Sequence, residues 1–155
     1  MENTVKTNLS ALNDRQHEAV VSEDKRLLVL AGAGSGKTKT LLQKLIYLIE
    51  EKGVSPSGIL AITFTKHATN EMIDRLIISA DNTGDYEKLL FDKRISKAEK
   101  DRERYLQQKK YKWIDGLTVR TFHSFCYSIL RNYGVNEFDN KFRIIGEEKK
   151  DEEDE

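Results

Sequence analysis

Residues 31–38 read AGAGSGKT, the pattern of a phosphate-binding Walker A loop except that Ala stands where the general pattern has its first Gly. Glycines let the backbone curl so that successive N–H groups point at an anion, and the positive end of the following helix adds to the attraction. In this pattern Lys37 reaches the β- and γ-phosphates of a nucleotide, and the Thr38 hydroxyl binds Mg²⁺. The loop positions expected to contact phosphate are Gly32, Ala33, Gly34, Ser35 and Gly36.

A glycine-rich turn without a ligand is the alternative interpretation, and the flanking segments argue against it. The apolar run at residues 27–31 predicts a strand buried on both faces. The segment after the loop has helical spacing, carried by Leu41, Leu42, Leu45, Ile46 and Ile49. This succession of strand, loop and helix is the context that the motif requires.

Strands and helices alternate along most of the chain. Asn13 and Gln16 have the spacing of a capping box, which predicts a short helix over residues 13–21. Residues 59–64 and 117–121 predict strands, and residues 142–145 are a candidate fourth strand. Another helix face is marked by Met72, Ile73, Leu76, Ile77 and Ala80, and a further helix follows residue 121. The alternation predicts a doubly wound α/β fold whose strand ends meet at one ligand-binding edge.

Residues 81–116 fit this scheme poorly, because they contain few apolar side chains. Residues 93–112 include nine Lys or Arg and three acidic residues. We expect a protruding charged helix or helical pair, either a solvated surface or a nucleic-acid-facing element. Residues 147–155 are predicted to be an acidic disordered tail.

Composition excludes several classes of protein. The chain has 155 residues and no net charge, so overall charge predicts no partner. A single cysteine, Cys126, excludes an internal disulfide, and no apolar run is long enough for a signal core or a membrane span. We expect a cytoplasmic protein with no membrane partner.

A P-loop enzyme usually holds Mg²⁺ and its attacking water with an Asp-Glu pair at the end of another buried strand. No such pair follows an apolar strand in this sequence. The loop therefore predicts nucleotide binding without the residues for brisk hydrolysis.

Four sequence blocks in order resemble the N-terminal part of domain 1A of UvrD/Rep-type superfamily 1 DNA helicases. Residues 12–20 resemble the Q motif, and AGAGSGKT is the Ala-first phosphate loop of this family. Residues 59–65 with Ala68, Glu71 and Met72 resemble motif Ia, and residues 121–126 (TFHSFC) resemble motif Ib. The resemblance implies a P-loop NTPase of the RecA-like type over residues 1–146, an incomplete parallel sheet flanked by helices with a charged helical insertion at 81–116.

The resemblance also implies roles for individual residues. From the resemblance we expect Gln16 to contact the adenine edge of ATP, whereas the residue by itself would be interpreted as a helix cap. Lys39 stands where some members place an Arg against the adenine ring. By the same resemblance, we expect single-stranded DNA to contact Thr63, Phe64, Thr65, Thr121 and His123. Without the family, Phe64 would be core, Thr121 a cap and His123 a first-turn helix residue.

The chain departs from the family pattern at Lys66-His67-Ala68, where Asn-Lys-Ala is usual, and in the length of residues 81–116. Motif II and the second RecA-like domain are not found in the sequence, so we expect a fragment of a longer polypeptide. The leading hypothesis is an ATP-dependent helicase that moves along single strands, with this segment binding ATP and Mg²⁺ but hydrolysing little. The alternatives are a self-contained nucleotide-dependent DNA-binding or regulatory module and a small P-loop phosphotransferase.

Overall fold

The computed structural model describes residues 7–133, which divide into one unit ending at Thr121 and a second beginning at Phe122. Two strands, seven α-helices and two short 3₁₀ turns (Leu9–Ala11 and Pro56–Gly58) make up the described part of the chain. The helices are α1 (Asp14–Val21), α2 (Lys37–Glu50), α3 (Lys66–Ala80), α4 (Asp85–Phe91), α5 (Lys97–Lys110), α6 (Lys112–Gly116) and α7 (Phe122–Tyr133). The strands are β1 (Leu60–Thr63) and β2 (Thr118–Thr121).

The two strands form a parallel sheet, which confirms the α/β class predicted from the sequence. The register pairs Leu60 with Thr118 and Thr63 with Thr121. The connection between the strands runs through α3, α4, α5 and α6, as a parallel crossover requires. Because the strands are parallel and in register, Thr63 and Thr121 lie opposite each other at the carboxyl ends of the sheet.

The strand predicted at residues 27–31 is wrong for this chain. These residues have no strand assignment, and the side chains of Leu28 and Leu30 are 82% and 87% exposed. A buried parallel strand needs a hydrogen-bonding neighbour on each side. In the described part of the chain, β1 and β2 pair only with each other, so the apolar run has no ladder to join.

The core forms where α2 and α3 pack together. All five apolar positions predicted for α3 are buried, and Leu42, Leu45 and Ile46 of α2 belong to the same cluster. Leu41 and Ile49, which share the predicted face of α2, lie at its margin, since Leu41 is exposed and Ile49 is partly buried. The helical periodicity of both segments is therefore confirmed.

Residues 81–116 are helical, as predicted, but they do not protrude. Tyr86 of α4, Tyr111 at the end of α5 and Ile114 of α6 are all buried in the core cluster. These few apolar side chains are widely spaced, so their sequence pattern resembles that of a solvated segment. The prediction of a protruding element is wrong because these three buried side chains are enough to pack the segment against α3 and its neighbours.

A polar network also ties α4 and α5 to α3. The Asp74 carboxylate accepts hydrogen bonds from Arg104 Nε at 2.6 Å, Arg104 Nη2 at 3.0 Å and the Tyr86 hydroxyl at 2.5 Å. Burial, and then the hydrogen bond to Asp74, raise the pKa of the Tyr86 hydroxyl well above its ordinary value. Tyr86 therefore remains a neutral donor, and the carboxylate is held by two helices at once.

The second unit contains α7, which begins directly after β2 as predicted. None of its described side chains is buried, and Phe122 and Tyr133 are mainly exposed. The candidate strand at residues 142–145 and the predicted acidic tail lie outside the described residues. Among residues 7–133, no helix combines the length and the apolar character needed to cross a bilayer.

Leu76→Ala tests whether the α2 and α3 contact is the centre of the core. Leu76 is 0% exposed, so its truncation should lower the free energy of unfolding by about 2–5 kcal/mol. Urea unfolding of the chain followed by circular dichroism measures this change. Leu106→Ala is the matched control, since Leu106 lies on α5 with 49% exposure and should cost about 1 kcal/mol or less. Equal losses in the two variants would contradict the assignment of the core.

Candidate nucleotide-binding site

The phosphate loop curls back on itself before α2 begins. Gly34 and Gly36 adopt left-handed backbone angles, with φ of 76° and 82°, and Gly36 is the residue directly before the helix. The Ser35 hydroxyl donates to the carbonyl oxygen of Gly32 at 2.7 Å, which closes the turn. Left-handed residues alternating with ordinary ones make the amide groups of a short segment point to one side, where an anion can bind.

Lys37 lies over this loop. Its ammonium group donates hydrogen bonds to the carbonyl oxygens of Ala31 at 3.1 Å and Gly32 at 2.7 Å. The cation is thus held beside the turn by weak backbone acceptors. A phosphate group is a charged acceptor and forms stronger hydrogen bonds with an ammonium than a neutral carbonyl does.

A cavity of about 290 Å³ lies between the phosphate loop and α1. Its volume is close to the lower end of the range for small-molecule sites. The cavity has an apolar wall from Val29, Leu30 and Ala19 and a polar wall from the loop and α1. The remaining lining residues are Asn13, Arg15, Gln16, Ala31, Gly32, Ser35, Lys37 and Thr40.

Gln16 joins α1 to the phosphate loop. Its side-chain oxygen accepts from the Asn13 amide at 3.1 Å, which completes the predicted capping box, and its amide nitrogen donates to the Ser35 carbonyl at 2.9 Å. The structure therefore brings Gln16 to the cavity and gives it a cap role and a loop contact. Adenine recognition by Gln16 stays a prediction.

The other predicted nucleotide residues differ in their placement. Thr38 is partly exposed in the first turn of α2, and Ala33 and Gly34 are exposed on the loop. Lys39 does not line the cavity beside the loop, and its ammonium donates to the Ala11 carbonyl at 2.5 Å. A larger cavity of about 660 Å³, between α2, α3, α4 and α5, includes Lys39 but no residue of the phosphate loop.

Mg²⁺ has one predicted ligand in the chain, the Thr38 hydroxyl. Within residues 7–133 no group of three or more His, Cys, Asp or Glu side chains is arranged to hold a metal ion. Mg²⁺ commonly binds through one or two protein oxygens, phosphate oxygens and water, so a single hydroxyl fits a nucleotide-bound ion.

The predicted DNA-contacting residues of the first unit gather where the sheet ends. Thr63 and Thr121 are paired in register, and the Thr63 hydroxyl lies 2.6 Å from that of Thr69 on α3. Thr65 caps α3, since its hydroxyl accepts from the Ala68 amide at 3.1 Å. Phe64 is 88% exposed, so it is not a core residue and its ring is open to a stacking partner.

His123 belongs to the second unit and is described by itself. It is exposed in the first turn of α7, and its ring meets that of Phe122 edge-on with centroids 6.2 Å apart. A contact between His123 and DNA stays a prediction.

Sequence reasoning missed two residues of the cavity wall. Thr40 is buried, and its hydroxyl donates to the Gly36 carbonyl at 3.1 Å at the start of α2. The signal was a Thr four residues after a loop glycine, the spacing at which a helical hydroxyl reaches a backbone carbonyl. Arg15 lines the cavity beside Gln16, and its ion pair with Glu18 is highly exposed.

Comparison with known proteins identifies the family of the chain. The family model of the UvrD/REP helicase N-terminal domain matches residues 12–153, and the chain belongs to this family. The chain is 34% identical over 138 residues to a probable DNA helicase II homolog of Mycoplasma capricolum, covering 88% of the chain and 15% of the relative.

Two further relatives are similar over the same region. Identity is 38% over 123 residues with the ATP-dependent DNA helicase PcrA of Staphylococcus aureus, covering 79% of the chain and 13% of that protein. The identity is also 38% over 125 residues with the ATP-dependent DNA helicase UvrD1 of Mycobacterium leprae, covering 80% of the chain and 12% of that protein. The chain thus spans 15% or less of the length of these relatives.

Gly36→Ala tests the link between Gln16 and the loop. A Cβ at this position would lie 2.7 Å from Gln16 Nε2, and it would also force Ala into a left-handed conformation. We expect the free energy of unfolding to fall by about 1–2 kcal/mol from backbone strain, and by about 1 kcal/mol more from displacing the Gln16 hydrogen bond. Urea unfolding measures the total.

Gly34→Ala is the matched control, because Gly34 has a similar φ and no heavy atom lies within 4 Å of the place that its Cβ would take. The Gly34→Ala variant should therefore lose only the unfolding free energy that comes from backbone strain. Gln16→Ala should cost less in the Gly36→Ala background than in the unsubstituted chain. Equal costs in both backgrounds would show that the two residues do not interact.

Proposed function

We propose that this chain is the ATP-binding N-terminal segment of a RecA-like P-loop domain in a cytoplasmic, ATP-dependent DNA helicase that moves along single strands. The observation that carries the proposal is the convergence of the curled loop, Lys37 and Gln16 on one cavity in a chain of the UvrD/REP helicase family. Residues 1–146 would form this part of the domain, with 81–116 as a helical insertion and 147–155 as an acidic tail.

The nucleotide would bind with its phosphates against the amides of residues 32–38. Lys37 would exchange its two carbonyl acceptors for phosphate oxygens, and Thr38 would bind the Mg²⁺ carried by the nucleotide. Gln16 already lies within hydrogen-bonding distance of the loop, so a base bound in the cavity would meet an amide that can donate and accept. Lys39 would need to leave the Ala11 carbonyl to approach the adenine ring.

Single-stranded DNA would bind at the carboxyl ends of the strands. The exposed ring of Phe64 supplies a surface on which a base can stack without regard to sequence. Thr63, Thr65 and Thr121 surround that position with hydroxyl groups able to contact the DNA backbone. His123 would add a contact from the start of α7.

Hydrolysis by this chain alone should be slow. Phosphoryl transfer depends on a positioned water, a well-held metal ion and cationic groups that stabilise the transition state. The described residues provide the loop, Lys37 and Thr38, and no acidic pair ends either strand. The remainder of the helicase polypeptide would supply these groups.

Lys37→Ala should abolish binding in a titration of the chain with a fluorescent ATP analogue and Mg²⁺. The reason is loss of the only side-chain cation that the described loop places beside its turn. Lys25→Ala removes the same charge from an exposed position before the loop and should leave the affinity unchanged. Gln16→Ala should retain binding but lose the preference for ATP over GTP. Unchanged affinity in Lys37→Ala would remove the site assignment.

A further inference from the structure

The inward face of α5 fixes this helix to the rest of the first unit. The Arg104 side chain is 13% exposed and forms a two-point contact with Asp74 of α3. Lys100 donates to the Leu90 carbonyl at 2.6 Å, and Ser96 and Glu99 form a capping box at the start of the helix. Because Arg104 and Lys100 fix its inward side at two places, α5 presents its opposite side in a defined position.

That opposite side carries Arg102, Tyr105, Leu106 and Lys109, which we call the outer face of α5. Their spacing of three, four and seven residues places them on one side of the helix. Tyr105 is 59% exposed, and the Lys109 ammonium lies 5.8 Å from the centre of its ring. An exposed aromatic ring between two cationic side chains is the combination that single-stranded nucleic acids bind.

The acidic residues of α5 offset only part of the positive charge of this segment, and each accepts a hydrogen bond from a side chain of α5 or of its N-cap. Residues 93–112 contain nine Lys or Arg and three acidic residues. The pairs are Glu99 with Ser96, Asp101 with Arg104, and Glu103 with Gln107. Lys109 has an ion pair with Asp115, whereas Arg102, Lys97 and Lys93 have no ion pair among the described residues.

We propose that the outer face of α5 is a second surface for single-stranded DNA, separate from the strand-end residues around Phe64. A base stacks on Tyr105, and Arg102 contacts a neighbouring phosphate. The excess of positive charge favours a polyanion over a protein partner, and Leu106 alone is too small an apolar surface to hold a protein. The inference rests on the proposed function only in taking single-stranded DNA as the ligand.

The test measures binding of a fluorescein-labelled oligothymidylate to the 155-residue chain by fluorescence anisotropy at several salt concentrations. Tyr105→Ala should weaken binding by about fivefold or more, because a stacked base is lost. Arg102→Ala should reduce the slope of log affinity against log salt by about 0.7, the value for one phosphate contact on a single strand. Lys25→Ala is the matched control for lost charge and should leave both quantities unchanged. Circular dichroism confirms that each variant is folded.

Phe64→Ala separates this proposal from the proposed function. The second surface is overturned if Tyr105→Ala leaves the affinity unchanged or Arg102→Ala leaves the salt slope unchanged. If Phe64→Ala weakens binding in the same experiment, the strand-end site stays in place. Weaker binding in the two α5 variants but not in Phe64→Ala supports the second surface and removes the strand-end site. An equal effect in Lys25→Ala, or no oligonucleotide binding by the unsubstituted chain, also overturns the proposal. The ATP titration of Lys37→Ala is independent of all these outcomes.

Discussion

The conformation of two glycines determines the rest of the candidate site. Gly34 and Gly36 have positive φ angles, which side chains with a Cβ adopt only at a cost of about 1–2 kcal/mol. This backbone turns the chain sharply enough for Ser35 to bond back to Gly32 and for Lys37 to lie over the loop. Gln16 Nε2 occupies the space that a Cβ at Gly36 would need, so the glycine also allows α1 to approach the loop.

The helix pair α2 and α3 supports both the phosphate loop and the segment that contains Phe64 and Thr65. The phosphate loop leads into the first turn of α2, and the segment with Phe64 and Thr65 leads into the first turn of α3. Buried leucine and isoleucine side chains of both helices share one cluster. Because closely packed cores transmit small displacements, a movement at the start of α2 should be felt at the start of α3.

The sequence predicted the features that depend on local pattern. Helical periodicity identified the five buried positions of α3, and the spacing of Asn13 and Gln16 identified the capping box. The strand predicted at residues 27–31 failed because apolar character does not supply hydrogen-bonding neighbours. The packing of residues 81–116 was missed because Tyr86, Tyr111 and Ile114 are too far apart to form a periodic pattern. Tertiary contacts, such as that of Gln16 with Ser35, are invisible to patterns within one segment.

The proposed function depends above all on the backbone amides of residues 32–38 binding the phosphates of a nucleotide. A two-dimensional ¹H–¹⁵N NMR titration of the chain with Mg²⁺ and a non-hydrolysable ATP analogue observes those amides one by one. We expect the amide signals of Gly34, Gly36 and Lys37 to shift more than those of α5, and Lys37→Ala to suppress the shifts. Saturation with the analogue while these three signals stay in place would show that the phosphates bind elsewhere.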